Sequence, residues 1–270
     1  MMKRIDLNRT HFLGVRLGAY AKLLNYKKLL MMQTFLLLLM SSCAVSKKAG
    51  PGVYTVHRLS EPVEINAQWH KEPWNSIQAL EVDKHMGEEP VHKPGVQAKV
   101  AYDQEALYVI FQVEDQYVRC MIEEYQGPVS RDSCVEFFFT PGTDISQGYF
   151  NLEFNCGGTA VFKFQKVAKD GQTKIPKAAF DQIEIAHSLP RIVNPEVADP
   201  LTWTIEYRLP IDILKEYYDV VPPAPGVEWK VNFYKIASES SHPHWLAWSF
   251  VDNPEPKFHL PQFFGTLKFQ

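Results

Sequence analysis

Two stretches of the chain concentrate side chains able to grip a polyhydroxylated ligand. One is Arg131-Asp132-Ser133-Cys134-Val135-Glu136. The other is Ser241-His242-Pro243-His244-Trp245-Leu246-Ala247-Trp248, followed by Phe258-His259-Leu260-Pro261-Gln262-Phe263-Phe264. A sugar presents an apolar C–H face and a rim of hydroxyls. Aromatic rings cover the first at small entropic cost. Carboxylate, amide and guanidinium groups bond the second with fixed donor and acceptor geometry. Strand alternation puts Cys134 and Phe138 on the face of Glu136, and Val135, Phe137 and Phe139 on the other. An acid so placed is either solvated or set in a binding groove. Trp245 and Trp248 are three positions apart and face opposite sides of one strand, so one of them belongs to the core. Trp248 and Phe258 are carried forward as stacking candidates, Phe258 because it lies in a Pro-flanked loop.

Other chemistries fit less well. Hydrolysis of a glycosidic bond needs two carboxyl groups about 5–10 Å apart, and Glu136, Glu153 and Glu206 offer acids without a mark of pairing. No nucleophile elbow, HExxH, P-loop or dinucleotide fingerprint is present. No catalytic residue is assigned. His242 and His244 form an H-x-H pair that could hold metal from one strand face, but no third ligand stands nearby. A net charge of -3 argues against a nucleic-acid partner, since phosphate binding requires concentrated Lys and Arg.

These side chains must be positioned by strands. Hydrophobic residues at 46% and aromatic residues at 13% suffice for a packed core. The alternation predicts strands at Val96–Tyr102, Leu107–Val113, Cys134–Thr140, Tyr149–Asn155, Ile183–Ser188, Thr202–Pro210, Glu228–Ala237, Trp245–Phe250 and Thr266–Phe269. A single short helix is expected at Ile211–Tyr218. Many short strands and no internal linker give one all-β sandwich over residues 53–270.

Four segments, in order, resemble the family 9 carbohydrate-binding modules and the wider DOMON-like sandwiches. They are Val100–Val109 with Val113-Glu114-Asp115, Asp132–Phe139, Trp203–Pro210, and Trp229–Phe233 with the closing Phe264–Phe269. The resemblance implies an antiparallel β-sandwich of jelly-roll or DOMON-like form that holds sugar ends between aromatic rings, often with structural calcium. It places a binding carboxylate at Glu136, a family arginine near Asn151, and a stacking ring at Phe258 with His259 beside it. Cys134 is an extra residue inside the family's Asp-Ser-Val-Glu motif, and residues 127–131 stand where the family carries an aromatic. Asp115 sits like a family turn acid and is a candidate calcium ligand, although six to eight oxygen ligands cannot be assembled around it from sequence. A haem-binding DOMON relative would need axial ligands, for which Met86 or Met121 with a histidine is a loose match. The implied function is non-catalytic carbohydrate binding, with a glycoside hydrolase or lyase as the competing class.

The N-terminus reads as an export signal. Lys27-Lys28 precede the apolar run Leu29–Met40 and then Ser41-Ser42-Cys43, an order that ends at a cysteine resembling a lipoprotein acylation site. The apolar run falls short of the roughly 20 residues that span a bilayer. Residues 1–43 are therefore expected to be an extension plus signal, and 44–52 a tether. The anchor is expected at the outer membrane facing the periplasm, because Lys47-Lys48 after Cys43 carries no acidic cluster. Three cysteines remain, allowing one bridge, with Cys134 and Cys156 on neighbouring strands, or three separate buried thiols.

Overall fold

The structure is a computed structural model that describes residues 50–167 and 170–270. The export segment and the expected acylation at Cys43 lie outside the described residues. Sixteen described strands follow in chain order: β1 (Val53–Arg58), β2 (Leu80–Glu81), β3 (Lys84–His85), β4 (Gly95–Tyr102), β5 (Ala106–Asp115), β6 (Val118–Cys120), β7 (Cys134–Thr140), β8 (Tyr149–Asn155), β9 (Ala160–Val167), β10 (Asp170–Lys174), β11 (Glu184–His187), β12 (Val193–Val197), β13 (Leu201–Pro210), β14 (Glu228–Ile236), β15 (Trp245–Ala247) and β16 (Gly265–Phe269). The expected all-β sandwich is what forms.

One sheet runs β10-β9-β8-β7-β14-β16-β1 and the other β1-β4-β5-β13-β11. Strand β1 stitches them together. Its Val53–Val56 half pairs in parallel with β16, and His57 and Arg58 pair in parallel with β4. The main core lies between the sheets. Phe111 of β5 meets Phe233 of β14 edge-on at 5.9 Å, and Tyr207 of β13 meets Phe154 of β8 at 4.9 Å.

Both sheets are covered on their outer faces as well, which is why β5 and β7 are buried along almost their whole length. Residues 59–79 lie across the second sheet. Lys99 of β4 reaches through them to donate to the Trp74 carbonyl at 2.7 Å, under the Trp69 ring. Trp69 and Trp74 thus serve packing. Outside the first sheet a smaller cluster forms from Met86, Cys134, Phe138, Tyr149, Tyr234, Phe258 and Phe264.

The helix expected at Ile211–Tyr218 is a 3₁₀ segment limited to Ile211–Glu216. Six residues form too few i→i−4 bonds to offset nucleation, so the tighter winding prevails. One α-helical turn at Lys177–Phe180 had no counterpart in the sequence reading. Cys120, Cys134 and Cys156 are free and buried. The Cys156 thiol lies against Cys120 rather than Cys134, because β6, not β7, brings its sulfur within reach.

Candidate functional site

The hairpin of β7 and β8 places the candidate residues. Its turn closes at Gly148, whose φ of +117° is open to glycine, and where a Cβ would sit 2.6 Å from the Gln165 carbonyl. The register then sets Glu136 directly opposite Glu153, and Phe138 opposite Asn151. On its other side Glu136 faces Tyr234 of β14. On β9, Val161 lies opposite Glu153, Lys163 opposite Asn151 and Gln165 opposite Tyr149. Because side chains alternate, all of these point out of the first sheet, away from the main core.

A polar thread crosses this face. Gln165 Nε2 donates to Asn151 Oδ1 at 2.9 Å, and Asn151 Nδ2 donates to Glu153 Oε1 at 2.8 Å. Glu136 is 2% exposed, and Gln165 Oε1 is buried without a donor. Directly opposed residues in antiparallel strands have Cβ atoms about 4.5–5.5 Å apart, so the two glutamates stand close. Burial, and then the Glu153 charge, hold the Glu136 carboxyl well above the usual carboxylate range. Burial likewise raises the Cys134 thiol beside it, which keeps that sulfur protonated and inert.

The loop leading into β16 closes over the face. Phe258 stacks on Tyr234 with centroids 4.1 Å apart, and the Tyr234 hydroxyl donates to the Phe258 carbonyl at 3.1 Å. The Tyr149 hydroxyl and His259 Nδ1 are hydrogen-bonded at 2.8 Å, and the His259 ring lies 5.0 Å from Phe138. Phe258 is therefore a packed ring in this structure, 7% exposed, and not an open platform. Surface hollows of about 190–360 Å³ lie elsewhere, and Glu136, Asn151 and Phe258 line none of them.

The structure thus brings Glu136, Asn151, Phe258 and His259 together and leaves Trp248 and Arg131 apart. Trp248 turns into the main core, edge-on to Phe233 at 5.7 Å and against Gly52 and Gly265. Its strand partner in the puzzle, Trp245, is the half-buried ring on the Glu136 side. It pairs with Ile236, which lies beside Cys134. Arg131 ends a 3₁₀ turn, points to solvent and pairs with Glu239 at 3.2 Å. Sequence reasoning missed Glu153 as a partner of Glu136, and Gln165 altogether. The alternation Val161-Phe162-Lys163-Phe164-Gln165 was the available signal for the strand that carries Gln165.

Asp115 does not fit a calcium site. Its carboxylate meets the buried Lys235 ammonium at 3.4 Å and His92 Nε2 at 2.7 Å. The Lys235 ammonium and the His92 ring take the place a metal would. The H-x-H pair is spent in the same way. His244 Nε2 takes a hydrogen bond from Lys235 at 2.6 Å, and burial with that neighbouring charge lowers its pKa to about 2. His242 instead stacks on Tyr117 at 3.6 Å. No group of three or more His, Cys, Asp or Glu suited to a metal occurs among the described residues. Glu206 is saturated by donors of the 66–74 segment and lies on the other sheet, so it is no partner for Glu136.

The two-sheet β-sandwich thus carries a polar thread and aromatic rings on one outer face. The chain belongs to carbohydrate-binding family 9, whose family model matches residues 70–269. Among solved structures it is similar to a candidate carbohydrate-binding protein of Bacteroides uniformis, with 25% identity and a TM-score of 0.73 over 82% of this chain and 100% of that one. It also shares its fold with a family 9 module of Caldicellulosiruptor kristjanssonii. The complex of that module with cellotriose gives 13% identity and a TM-score of 0.56, covering 81% of this chain and 94% of that one. Its complex with glucose gives 14% identity and the same TM-score, with 81% and 96% covered. No curated protein matches the chain in sequence.

Proposed function

We propose that the chain is a non-catalytic glycan-binding lipoprotein, anchored through Cys43 and holding sugar on the outer face of the first sheet. The observation that carries this reading is the buried Glu136 carboxyl sharing one sheet face with the buried, unpartnered Gln165 Oε1, inside a family of sugar-binding modules. A buried polar group left unpaired costs about 1–3 kcal/mol, and a ligand hydroxyl would relieve it. Glu153 and Asn151 add acceptor and donor groups, and the half-buried Trp245 and His259 supply ring surface. Entry requires the Phe258–His259 loop to lift from Tyr234 and Phe138.

Calorimetry with glucose, cello-oligosaccharides and a glycan array tests the reading. Binding is expected, and Trp245→Ala and Glu153→Gln should each weaken it about tenfold, since one good contact of this kind contributes about 1–2 kcal/mol. Absence of binding to every glycan would reject the function. Because Glu136 and Glu153 are also the pair a hydrolase would need, reducing-end products from a pooled glycan digest would replace binding by catalysis.

The anchor is tested separately. Cys43→Ala should move the protein from the membrane pellet to the soluble fraction and abolish incorporation of a labelled fatty acid. A native Cys43 that still reacts with a thiol reagent would refute acylation.

A further inference from the structure

Cys120 ends β6, and Cys156 follows the last residue of β8. Ser133 holds the two segments together. Its carbonyl accepts from the Cys156 amide at 2.8 Å, and its own amide donates to the Arg119 carbonyl at 3.0 Å. The Asn155 side-chain amide adds a bond to the Ile122 carbonyl at 2.8 Å. Between these ties the sulfurs meet. The Cys156 thiol donates to the Arg119 carbonyl at 3.6 Å and is in hydrogen-bond contact with the Cys120 thiol. A Cβ on Gly157 would lie 2.7 Å from Cys120 Sγ, so glycine is what lets the turn come this near. Cys134 is excluded from the pair by strand alternation. Its register partner is Asn155, one position before Cys156, so the two cysteines face opposite sides of the sheet. Cys120 and Cys156 accordingly belong to the main core, and Cys134 to the outer cluster with Met86 and Phe138.

We propose that Cys120 and Cys156 are a site of oxidative cross-linking, closing to a disulfide as the chain folds in an oxidising compartment, while Cys134 stays a thiol. Such compartments are where disulfides form and persist. The reaction consumes one equivalent of a small-molecule or protein disulfide. One cysteine thiolate attacks that disulfide, forming a mixed disulfide and releasing the first thiol of the oxidant. The other cysteine thiolate attacks the protein-bound sulfur, the mixed S–S bond breaks, and the second thiol leaves. The chain loses two electrons and two protons, and the oxidant takes up both as two thiols. Closure shortens the native contact from hydrogen-bond range to about 2.05 Å. Both cysteines are fully buried in the fold, so the exchange belongs to folding, and the finished bond is shielded from reductants. The bridge fastens β6 and its partner β12 to the end of β8, the strand that carries Asn151 and Glu153.

The experiment refolds the reduced full chain in a buffer of oxidised and reduced glutathione, caps the remaining thiols with iodoacetamide and maps the linkage by mass spectrometry. Trypsin with a glutamate-specific protease places Cys120, Cys134 and Cys156 in separate peptides. The expected product joins the Cys120 peptide to the Cys156 peptide, with Cys134 capped. It should melt about 5–15 °C above the same chain held in reductant, the range for a closed loop of this size in a domain of this length. Cys134→Ser should keep both the bridge and the shift, and Cys156→Ser should lose both. Capped thiols at Cys120 and Cys156 after refolding would overturn the proposal. So would a bridge that includes Cys134 or Cys43, or a bridged chain that melts no higher than the reduced one. The map is read on the native chain, so it decides the matter even where Cys156→Ser fails to fold. A missing bridge would leave the glycan-binding reading untouched.

Discussion

Glu136→Gln is expected to raise the stability of the protein at neutral pH by about 1–3 kcal/mol, the usual order of the desolvation penalty of a buried polar group. The side chain is 2% exposed, and its carboxyl is held well above the ordinary range by burial and by Glu153. The direction with pH follows from linkage. Below the unfolded carboxyl pKa both states hold the proton and the residue contributes nothing. Above it the unfolded chain releases the proton while the folded chain retains it, so stability falls as pH rises, until the raised folded value is passed. The advantage of the variant should therefore be absent near pH 4 and grow steadily above it. For a domain of this size each kcal/mol moves the melting midpoint by roughly 2–4 °C. Melting curves of both proteins across the pH range check the expectation. A variant that melts lower than the native chain at pH 8 would show that Glu136 is satisfied by an interaction absent from the fold described here.

Glu206→Ala has the opposite sign and the largest expected size. The Glu206 carboxylate is fully buried and accepts from the Ala67 amide at 2.7 Å, the Asn66 amide at 2.9 Å, Trp74 Nε1 at 2.8 Å and Lys71 Nζ at 2.9 Å. It is the clasp by which residues 59–79 are held on the second sheet. Removing it orphans two backbone N–H groups, an indole N–H and a partly buried ammonium at once. Breaking a buried ion pair by deleting one partner typically costs about 3–5 kcal/mol. Urea denaturation should show a loss of that size, and trypsin should cut at Lys71 far faster in the variant than in the native chain. Unchanged cleavage would show that apolar packing of Trp69 and Trp74 holds the segment without the carboxylate. Glu206→Gln should lie between the two, since it keeps one acceptor oxygen but sets an amide N–H₂ against donors.

The two glutamates show how uneven the legibility of this chain was. Both sit in alternating strands, and both were visible as acids within β-forming runs. What separates them is the identity of their neighbours. Glu206 is met by an N-terminal segment about 135 residues away in sequence, and that segment brings donors. Glu136 is met across the sheet by Glu153 and by Tyr234, which bring another acid and a ring. The tryptophan pair divided in the same manner. Their three-residue spacing required that one enter the core, yet only the pairing of β15 with β14, which sets Trp245 beside Ile236, decided that Trp248 was the one.

Local sequence by itself determined the all-β class, the β7–β8 hairpin with both of its boundaries, and the face that Glu136 shares with Cys134 and Phe138. These follow from a backbone period of two and from turn residues, which act within a few positions of the chain. Tertiary structure alone decided that Glu153 stands opposite Glu136, that Phe258 seals the face, that Asp115 is neutralised by Lys235, and that Glu206 is a clasp. Each of these depends on cross-strand register or on coverage by a distant segment. Register is set by the burial of whole faces and not by any single residue, so a linear reading can place an acid on a face without telling what it will meet there.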